Sequence, residues 1–287
     1  PRLACKVFPR GGEQVALPET ASGVILGDTL PPPPCQPGRT GLSAAVDLGT
    51  TTVVVKLYDR AQGAELAAQR AWNAQAPYGA DVISRIQHTL DTPQGFSELS
   101  GRIRGQIWAM LEAALSAAGR RAEELKEISV AGNTVMESLF AGRSVAGMAA
   151  APFRPDSLFF GPEGTGDLNG VPVRLLPCVA GYVGGDITAG LMASGLGEKP
   201  GEHLFLDIGT NGEMAMGGKG GFSCCAVASG PAFEGAGIQC GMPGVDGAVS
   251  HVRYDRGFLY DVIGDGPARG LCGSGLVGLA AVLRKLG

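Results

Sequence analysis

The chain has 287 residues, of which 45 % are hydrophobic, and its formal net charge at pH 7 is −4. This length can bury one large core or the cores of two lobes. The acidic balance leaves no basic stripe for a nucleic acid and the aromatic content is only 6 %, so we expect no nucleic-acid binding. No apolar run is long enough to cross a bilayer, so we expect no membrane insertion.

Seven cysteines are scattered along the chain without a C-x-x-C pair. Their odd number argues against a disulfide framework and indicates reduced thiols in a cytoplasmic protein. It also argues against an iron–sulfur cluster bound within these residues. For the adjacent Cys224 and Cys225 we favour two buried small residues of a strand over a redox pair.

Residues 1–41 are predicted to be the tail of a preceding domain plus a linker. Short strand-like pieces are broken there by Gly and Pro, and four consecutive prolines at 31–34 predict an extended, semi-rigid segment. A first lobe is predicted from residue 42 to residue 202.

The first lobe opens with a strand-turn-strand pattern at residues 45–55. An apolar run ends near Asp47, Gly49 allows a tight turn, and Thr50 and Thr51 precede a second apolar run. Such a turn points backbone N–H groups and hydroxyls at one place, where a polyphosphate can bind. A carboxylate beside it can hold Mg²⁺ through water.

Helical periodicity follows over residues 97–118. Its apolar side consists of Ile103, Ile107, Met110, Leu111, Ala114 and Leu115. A strand at 128–131 is predicted to lead into a helix that ends near Gly142. Asp186 follows two glycines, and it suits a helix N-terminal cap and a catalytic role equally well.

The hairpin pattern returns at residues 204–214, with Asp207, Gly209, Thr210 and Asn211 in the corresponding places. An ordinary tight hairpin would explain one copy, but two copies favour two related lobes that face each other across a cleft. The second lobe is predicted to span residues 203–287.

A glycine-rich loop at residues 270–275 runs straight into an apolar helix. A glycine-rich turn before a core helix is the ordinary explanation, and close approach of a nucleotide to the backbone is the functional one. The order hairpin, hairpin, glycine loop resembles the phosphate 1, phosphate 2 and adenosine motifs of the superfamily that holds actin, sugar kinases, acetate kinase and the heat-shock chaperone ATPases.

That resemblance implies an α/β protein of two ribonuclease-H-like lobes with an ATP cleft between them. It also implies a second lobe with more strands and helices than residues 203–287 contain, so an incomplete second lobe is expected. The resemblance implies that Asp47 and Asp207 organise Mg²⁺ and the attacking water. Glu213 is a candidate to orient that water, and a solvated glutamate of a hairpin is the alternative. The residues expected at the β- and γ-phosphates are Gly49, Thr50, Thr51, Gly209, Thr210, Asn211 and Gly212. Ser229 and Gly230 are candidates to complete the pocket, with a structural turn as the alternative. Gly273, Ser274 and Gly275 are expected to contact the adenosine.

Further segments narrow the resemblance to the reductive activators of corrinoid proteins. They are S-V-A-G-N-T-V-M at 129–136, A-P-F at 151–153, L-P at 176–177, V-G-G-D-I-T-A-G at 183–190, D-I-G-T-N-G-E at 207–213 and S-G-P-A-F-E-G-A at 229–236. The resemblance implies that ATP drives reduction of a partner's corrinoid from Co(II) to Co(I), so that methyl transfer can resume. The partner would be a corrinoid iron–sulfur protein or the corrinoid subunit of a methyltransferase. In this family a [2Fe–2S] or [4Fe–4S] cluster lies in a separate domain, which we expect to be absent from this chain.

Other functions stay open. A small-molecule kinase would use the same cleft, an activator ATPase of a 2-hydroxyacyl-CoA dehydratase shares the fold, and a scaffold could bind nucleotide without hydrolysis. The oligomeric state, including a homodimer, is open as well.

Overall fold

In a computed structural model, the described residues are 38–209, 211–227 and 238–287. They form two compact units, residues 38–227 and residues 238–287. The tail predicted for residues 1–41 lies almost wholly outside the described residues, as do the site residues Thr210, Ser229 and Gly230.

The first unit is built on a six-stranded sheet with the strand order β3-β2-β1-β4-β6-β5. Its strands are β1 (Leu42–Leu48), β2 (Thr52–Asp59), β3 (Glu65–Trp72), β4 (Leu125–Gly132), β5 (Thr165–Leu168) and β6 (Val171–Leu175). Strand β1 pairs antiparallel with β2 and parallel with β4, and β4 pairs parallel with β6. The ends of β1 and β4 therefore meet at one edge of the sheet.

Four α-helices belong to this unit: α1 (Val82–Asp91), α2 (Gly95–Ala117), α3 (Thr134–Ala141) and α4 (Gly185–Ser194). Helix α2 packs on β2 and β3, and the apolar side expected for it is buried, which confirms that prediction. Helix α3 ends where Gly142 takes the left-handed conformation, which also agrees with the predicted end.

A second, antiparallel sheet follows in the same unit. It consists of β7 (His203–Ile208), β8 (Gly212–Gly218) and β9 (Gly221–Val227) in that order. Ala215 packs with Val183 and Ile187 around α4, so this sheet and α4 share a small core. The lobe boundary predicted between residues 202 and 203 stays a prediction.

The second unit contains β10 (Ala248–Tyr254), β11 (Phe258–Val262), β12 (Gly270–Leu271) and α5 (Gly273–Leu286). Helix α5 lies against β10 so closely that a side chain at Gly275 would collide with the carbonyl oxygen of Val249. The predicted glycine loop and its apolar helix are therefore present. Close helix–strand packing is sufficient to explain the glycine at 275.

The mixed α/β class is confirmed by these elements, but one expectation about side chains was wrong. Cys224 and Cys225 do lie in a strand, β9, yet Cys224 is half-buried and Cys225 is exposed. Neighbouring residues of a strand point to opposite faces, so both could be buried only if both faces of β9 were covered. Among the described residues, no helix is long and apolar enough to cross a membrane.

Candidate functional site

The first predicted hairpin is formed by β1 and β2, with Leu48 opposite Val53. Asp47 is the last residue but one of β1, and Gly49, Thr50 and Thr51 form the turn. A Cβ atom at Gly49 would lie 2.6 Å from the carbonyl oxygen of Thr52, so the turn needs glycine there for steric reasons.

The three carbonyl groups of this turn are all bound from one side. The side-chain amide of Asn73 donates to the Gly49 oxygen at 2.8 Å, and the backbone N–H of Asn73 donates to the Thr51 oxygen at 2.8 Å. The guanidinium of Arg85 donates through Nη2 to the Thr50 oxygen at 2.6 Å. Sequence reasoning missed both residues, because neither belongs to a motif and each reaches the turn only through the tertiary fold.

The N–H groups of the turn have the opposite orientation. In a trans peptide the C=O and the following N–H point in opposite directions, so the N–H groups of Thr50 and Thr51 face away from Asn73 and Arg85. Within the described part of the chain, no acceptor binds either N–H group. Two adjacent free N–H groups in a glycine turn make a concave donor site for an anion.

The second predicted hairpin is formed by β7 and β8. Asp207 lies directly opposite Glu213 in the pairing of these strands. The N–H of Gly209 donates to the carbonyl of Asn211 at 2.9 Å and closes the turn, and Gly212 is buried at the start of β8.

A third segment, the start of α4, lies against the loop after β4. A Cβ atom at Gly184 would collide with Gly132 and Asn133. Asn133 caps α3 by accepting from the N–H of Met136 at 3.0 Å, and it donates through Nδ2 to the hydroxyl of Thr50 at 2.9 Å. The β4 loop therefore joins the first hairpin to the helix that carries Asp186.

Asp186 lies in the first turn of α4, where the N-cap position is Gly184. Its side chain accepts from the N–H of Ile187 at 2.9 Å. It does not occupy the cap position itself, so capping alone does not account for an acidic residue here.

Four carboxyl groups at this place have raised pKa values, chiefly because of burial, and the charge of a neighbouring carboxylate contributes for three of them. Loss of hydration, followed by the charge of Asp207, raises the pKa of Asp47, although the Asp47 side chain stays open to solvent. Burial, with the charges of Asp207 and Asp47, raises the pKa of Asp186 to about 6. Burial, with the charges of Asp186 and Asp207, raises the pKa of Glu213 to about 7. Loss of hydration also raises the pKa of Asp207. A bound cation would relieve this repulsion.

A fifth carboxyl group, that of Glu137 in α3, lies fully buried behind the site. Its Oε1 accepts from the N–H of Gly132 at 2.9 Å, and the thiol of Cys178 contacts Oε2 at 3.5 Å. Burial raises the pKa of Glu137 to about 9, which keeps this group protonated at neutral pH.

The four carboxyl groups, those of Asp47, Asp186, Asp207 and Glu213, together with the first turn fit a magnesium-bound polyphosphate. Among the described residues, no three acidic, histidine or cysteine side chains converge closely enough to bind a metal ion directly. Mg²⁺ keeps several waters and takes few protein ligands, so carboxylates that reach the ion through water suit it. The N–H groups of Thr50 and Thr51 are donors of the kind that phosphate oxygens accept from.

The residues predicted to contact adenosine belong to the second unit. Gly273, Ser274 and Gly275 form the first turn of α5 in the second unit, where Ser274 is exposed and lies 3.3 Å from the thiol of Cys272. Their expected contact with adenosine stays a prediction.

Two family models match the chain. The model described as "RACo middle region" matches residues 42–199. The model described as "C-terminal domain of RACo the ASKHA domain" matches residues 202–287. Together they span the strands and helices of both units.

Curated relatives and a solved structure agree with these matches. The chain is 33 % identical over 256 residues to "Corrinoid activation enzyme RamQ" of Eubacterium limosum, which covers 85 % of the chain and 42 % of that protein. It is 25 % identical over 227 residues to "[Co(II) methylated amine-specific corrinoid protein] reductase" of Methanosarcina barkeri, which covers 73 % of the chain and 40 % of that protein.

The solved structure described as "Reductive activator for corrinoid,iron-sulfur protein" superposes with a TM-score of 0.72 at 36 % identity, over 88 % of this chain and 41 % of that one. The chain thus spans less than half the length of the relatives it matches. The expected α/β fold of the actin-like ATPases is confirmed by this similarity and by the ASKHA match. The chain therefore belongs to the RACo family, and its residues correspond to the middle region and the C-terminal ASKHA domain of that family.

Proposed function

We propose that this chain binds and hydrolyses Mg·ATP to drive the reductive activation of a corrinoid protein. The observation that carries the proposal is a glycine turn in which the N–H groups of Thr50 and Thr51 bind no acceptor among the described residues. The loop after β4 joins this turn to the helix of Asp186, and the charges of Asp207 and Asp47 help to raise the pKa of Asp186. Membership of the RACo family supplies the reaction class.

The phosphates would be held by the turns of the two hairpins. The N–H groups of Thr50 and Thr51 donate to phosphate oxygens, and the Thr50 hydroxyl, which accepts from Asn133, has its own proton left to donate. Gly209, Thr210, Asn211 and Gly212 would bind the phosphates from the second hairpin. Fixed donors of this kind stabilise the charge that develops in phosphoryl transfer.

Asp47, Asp186 and Asp207 would hold the magnesium ion through its waters. The bound ion would neutralise charge on the β- and γ-phosphates. These three side chains would in addition fix the position of the attacking water, because each ionised carboxylate accepts hydrogen bonds from the water shell of the ion.

Glu213 would orient the attacking water and accept its proton. The pKa of Glu213, raised by burial to about 7, lies near neutral pH, which is where a general base works best. Its position opposite Asp207 in the β7–β8 pair keeps it beside that carboxyl group, and the charge of Asp186 also reaches it.

The activation step would transfer one electron to the Co(II) corrinoid of the partner and give Co(I). We place the electron carrier, a [2Fe–2S] or [4Fe–4S] cluster, in a domain outside the matched regions. The partner would be a corrinoid iron–sulfur protein or the corrinoid subunit of a methyltransferase. A cytoplasmic location and a homodimeric assembly stay predictions.

Phosphate release from ATP, measured with and without a Co(II) corrinoid protein, tests the proposal. We expect release to be stimulated by the corrinoid protein and to fall by at least about 100-fold in Asp207→Asn, because one charge that orients the ion and its water is lost. Asp255→Asn, at an exposed position after β10, is the matched control and should leave the rate unchanged. Stimulation by a sugar or an organic acid instead would favour a kinase, and ATP binding without hydrolysis would favour a scaffold.

A further inference from the structure

A buried polar network lies directly beneath the first turn, which consists of residues 49–51. Its members are Asn73, Gln75 and Arg85, and all three side chains are removed from solvent. Burial of an arginine is costly unless its donors are bound, so a network of this kind needs a compensating role.

The network is hydrogen-bonded throughout. Arg85 donates through Nε to the Gly79 oxygen at 3.0 Å and through Nη1 to the Gln75 side chain at 3.1 Å. Gln75 donates to the Leu99 oxygen at 2.9 Å, and its N–H donates to the side chain of Asn73 at 2.9 Å. The guanidinium and the two amides therefore form one rigid unit anchored to α2 and to the loop before α1.

Three further donors of this unit go to the turn. They are Nδ2 and the backbone N–H of Asn73 and Nη2 of Arg85, and they bind the carbonyl groups of Gly49, Thr51 and Thr50. Each of these bonds fixes one peptide plane. Because the C=O and N–H of a trans peptide are antiparallel, the network determines the direction of the N–H groups on the opposite side of the turn.

We propose that Asn73 and Arg85 are positioning residues of the nucleotide site, which hold the carbonyl groups of the turn and so direct its N–H groups to the phosphates. This inference rests on the proposed function, since it concerns the same site. Neither side chain touches the nucleotide. The buried positive charge of Arg85 also polarises the Thr50–Thr51 peptide so that its N–H becomes a stronger donor.

The test compares ATP with AMP, because AMP lacks the phosphates that the turn would bind. Calorimetric titration gives the dissociation constants of both nucleotides, with Mg²⁺, for the wild-type protein, Arg85→Lys and Asn73→Ala. The ratio of the dissociation constant for AMP to that for ATP measures how strongly the protein prefers ATP. We expect this ratio to fall by about 10- to 100-fold in Arg85→Lys, because a charged hydrogen bond to the turn is lost. A smaller fall is expected in Asn73→Ala, since the backbone N–H of residue 73 is kept.

Arg102→Lys is the matched control, because Arg102 is an exposed arginine of α2 that donates to the Tyr78 hydroxyl. This variant should keep the wild-type ratio. A role in stability alone would lower the unfolding midpoint of the Arg85 and Asn73 variants and leave the ratio unchanged, which would overturn the inference. Wild-type protein that binds neither nucleotide would overturn the proposed function as well.

A second measurement needs no variant and therefore holds even if the substituted proteins do not fold. The amide resonances of Thr50 and Thr51 in the wild-type protein are followed by nuclear magnetic resonance during addition of Mg·ATP or Mg·AMP. We expect large shifts and slower hydrogen exchange of both amides with ATP and little change with AMP. Amides that respond equally to both nucleotides, or to neither, would overturn the inference.

Discussion

At the scale of single residues, Glu137 is a carboxylic acid kept neutral by its surroundings. It accepts from the Gly132 N–H and contacts Cys178, and no cation balances it among the described residues. Its neighbour Gly185 has no room for a side chain, because a Cβ atom there would collide with Oε1 of Glu137. This buried acid therefore sets the position at which α4 begins.

Glu137→Gln should reproduce the neutral acid, because the amide oxygen still accepts from Gly132 and the shape is preserved. The pKa of Glu137 is raised to about 9 in the folded protein, against an ordinary value of 4.5. Its contribution to stability is therefore full below pH 4.5 and is lost as the pH rises through 9. The wild-type protein should lose more than about 1 kcal/mol relative to Glu137→Gln between pH 6 and pH 8.

Urea unfolding of both proteins at these two pH values gives the difference directly. Glu137→Ala is the contrasting variant, since it leaves the Gly132 N–H without a partner. It should be about 1–3 kcal/mol less stable than Glu137→Gln at either pH. A difference between the wild-type protein and Glu137→Gln that does not change with pH would contradict a neutral Glu137.

At the scale of elements, the close packing of α4 on the β4 loop positions an acidic residue that the sequence left ambiguous. Asp186 suits both a cap and a catalytic role, but Gly184 packs against Gly132 and Asn133 and brings Asp186 into the electrostatic reach of Asp47 and Asp207. Sequence patterns do not contain this contact, because α4 and β4 are far apart in the chain. The catalytic role of Asp186 stays a prediction.

Gly184→Ala should disturb this contact without any change of charge. The added methyl group would overlap Asn133, so we expect a loss of about 1–3 kcal/mol in stability and weaker binding of Mg·ATP. The free energy of unfolding and the dissociation constant for Mg·ATP check both effects.

The matched control is Gly101→Ala, at an exposed position of α2 where a Cβ atom meets nothing within 4 Å. Alanine is a better helix former than glycine, so this variant should gain roughly 0.5–1 kcal/mol and bind nucleotide normally. Equal binding by the two variants would show that the α4 contact does not position the site.

At the scale of the whole molecule, the acidic cluster predicts that the affinity for a divalent cation depends on pH. The pKa values of Asp186 and Glu213 are raised to about 6 and about 7, above their ordinary values of 3.8 and 4.5. Each group therefore contributes stability that is full below its ordinary pKa and is lost as the pH rises through its raised pKa. A bound divalent cation favours the ionised forms and opposes that loss.

The apparent affinity for a divalent cation should therefore rise about tenfold between pH 6 and pH 8, as Glu213 loses its proton. The experiment uses the nucleotide-free protein, with Mn²⁺ in place of Mg²⁺. Electron paramagnetic resonance measures the concentration of Mn²⁺ that stays free in solution, which gives the affinity. Glu213→Gln removes the titrating group and should flatten the pH dependence. An equally steep dependence in this variant would rule out Glu213 as the source.

The sequence by itself determined the two hairpins, the buried side of α2 and the end of α3 at Gly142. Strand alternation, helical periodicity and the conformational freedom of glycine are local properties, so they can be read without the fold. The burial expected for both Cys224 and Cys225 showed the limit of this reasoning, because the burial of a strand face depends on what packs against it.

Only the tertiary structure decided what lies around the first turn. Asn73 reaches its carbonyl groups from the loop after β3 and Arg85 from α1. Asp186 approaches from α4 through a glycine contact. These contacts join segments that are distant in the chain, and their energies come from burial and hydrogen-bond geometry. Residue patterns identify the glycine turn as a candidate anion site, whereas the fold determines what holds that turn in place.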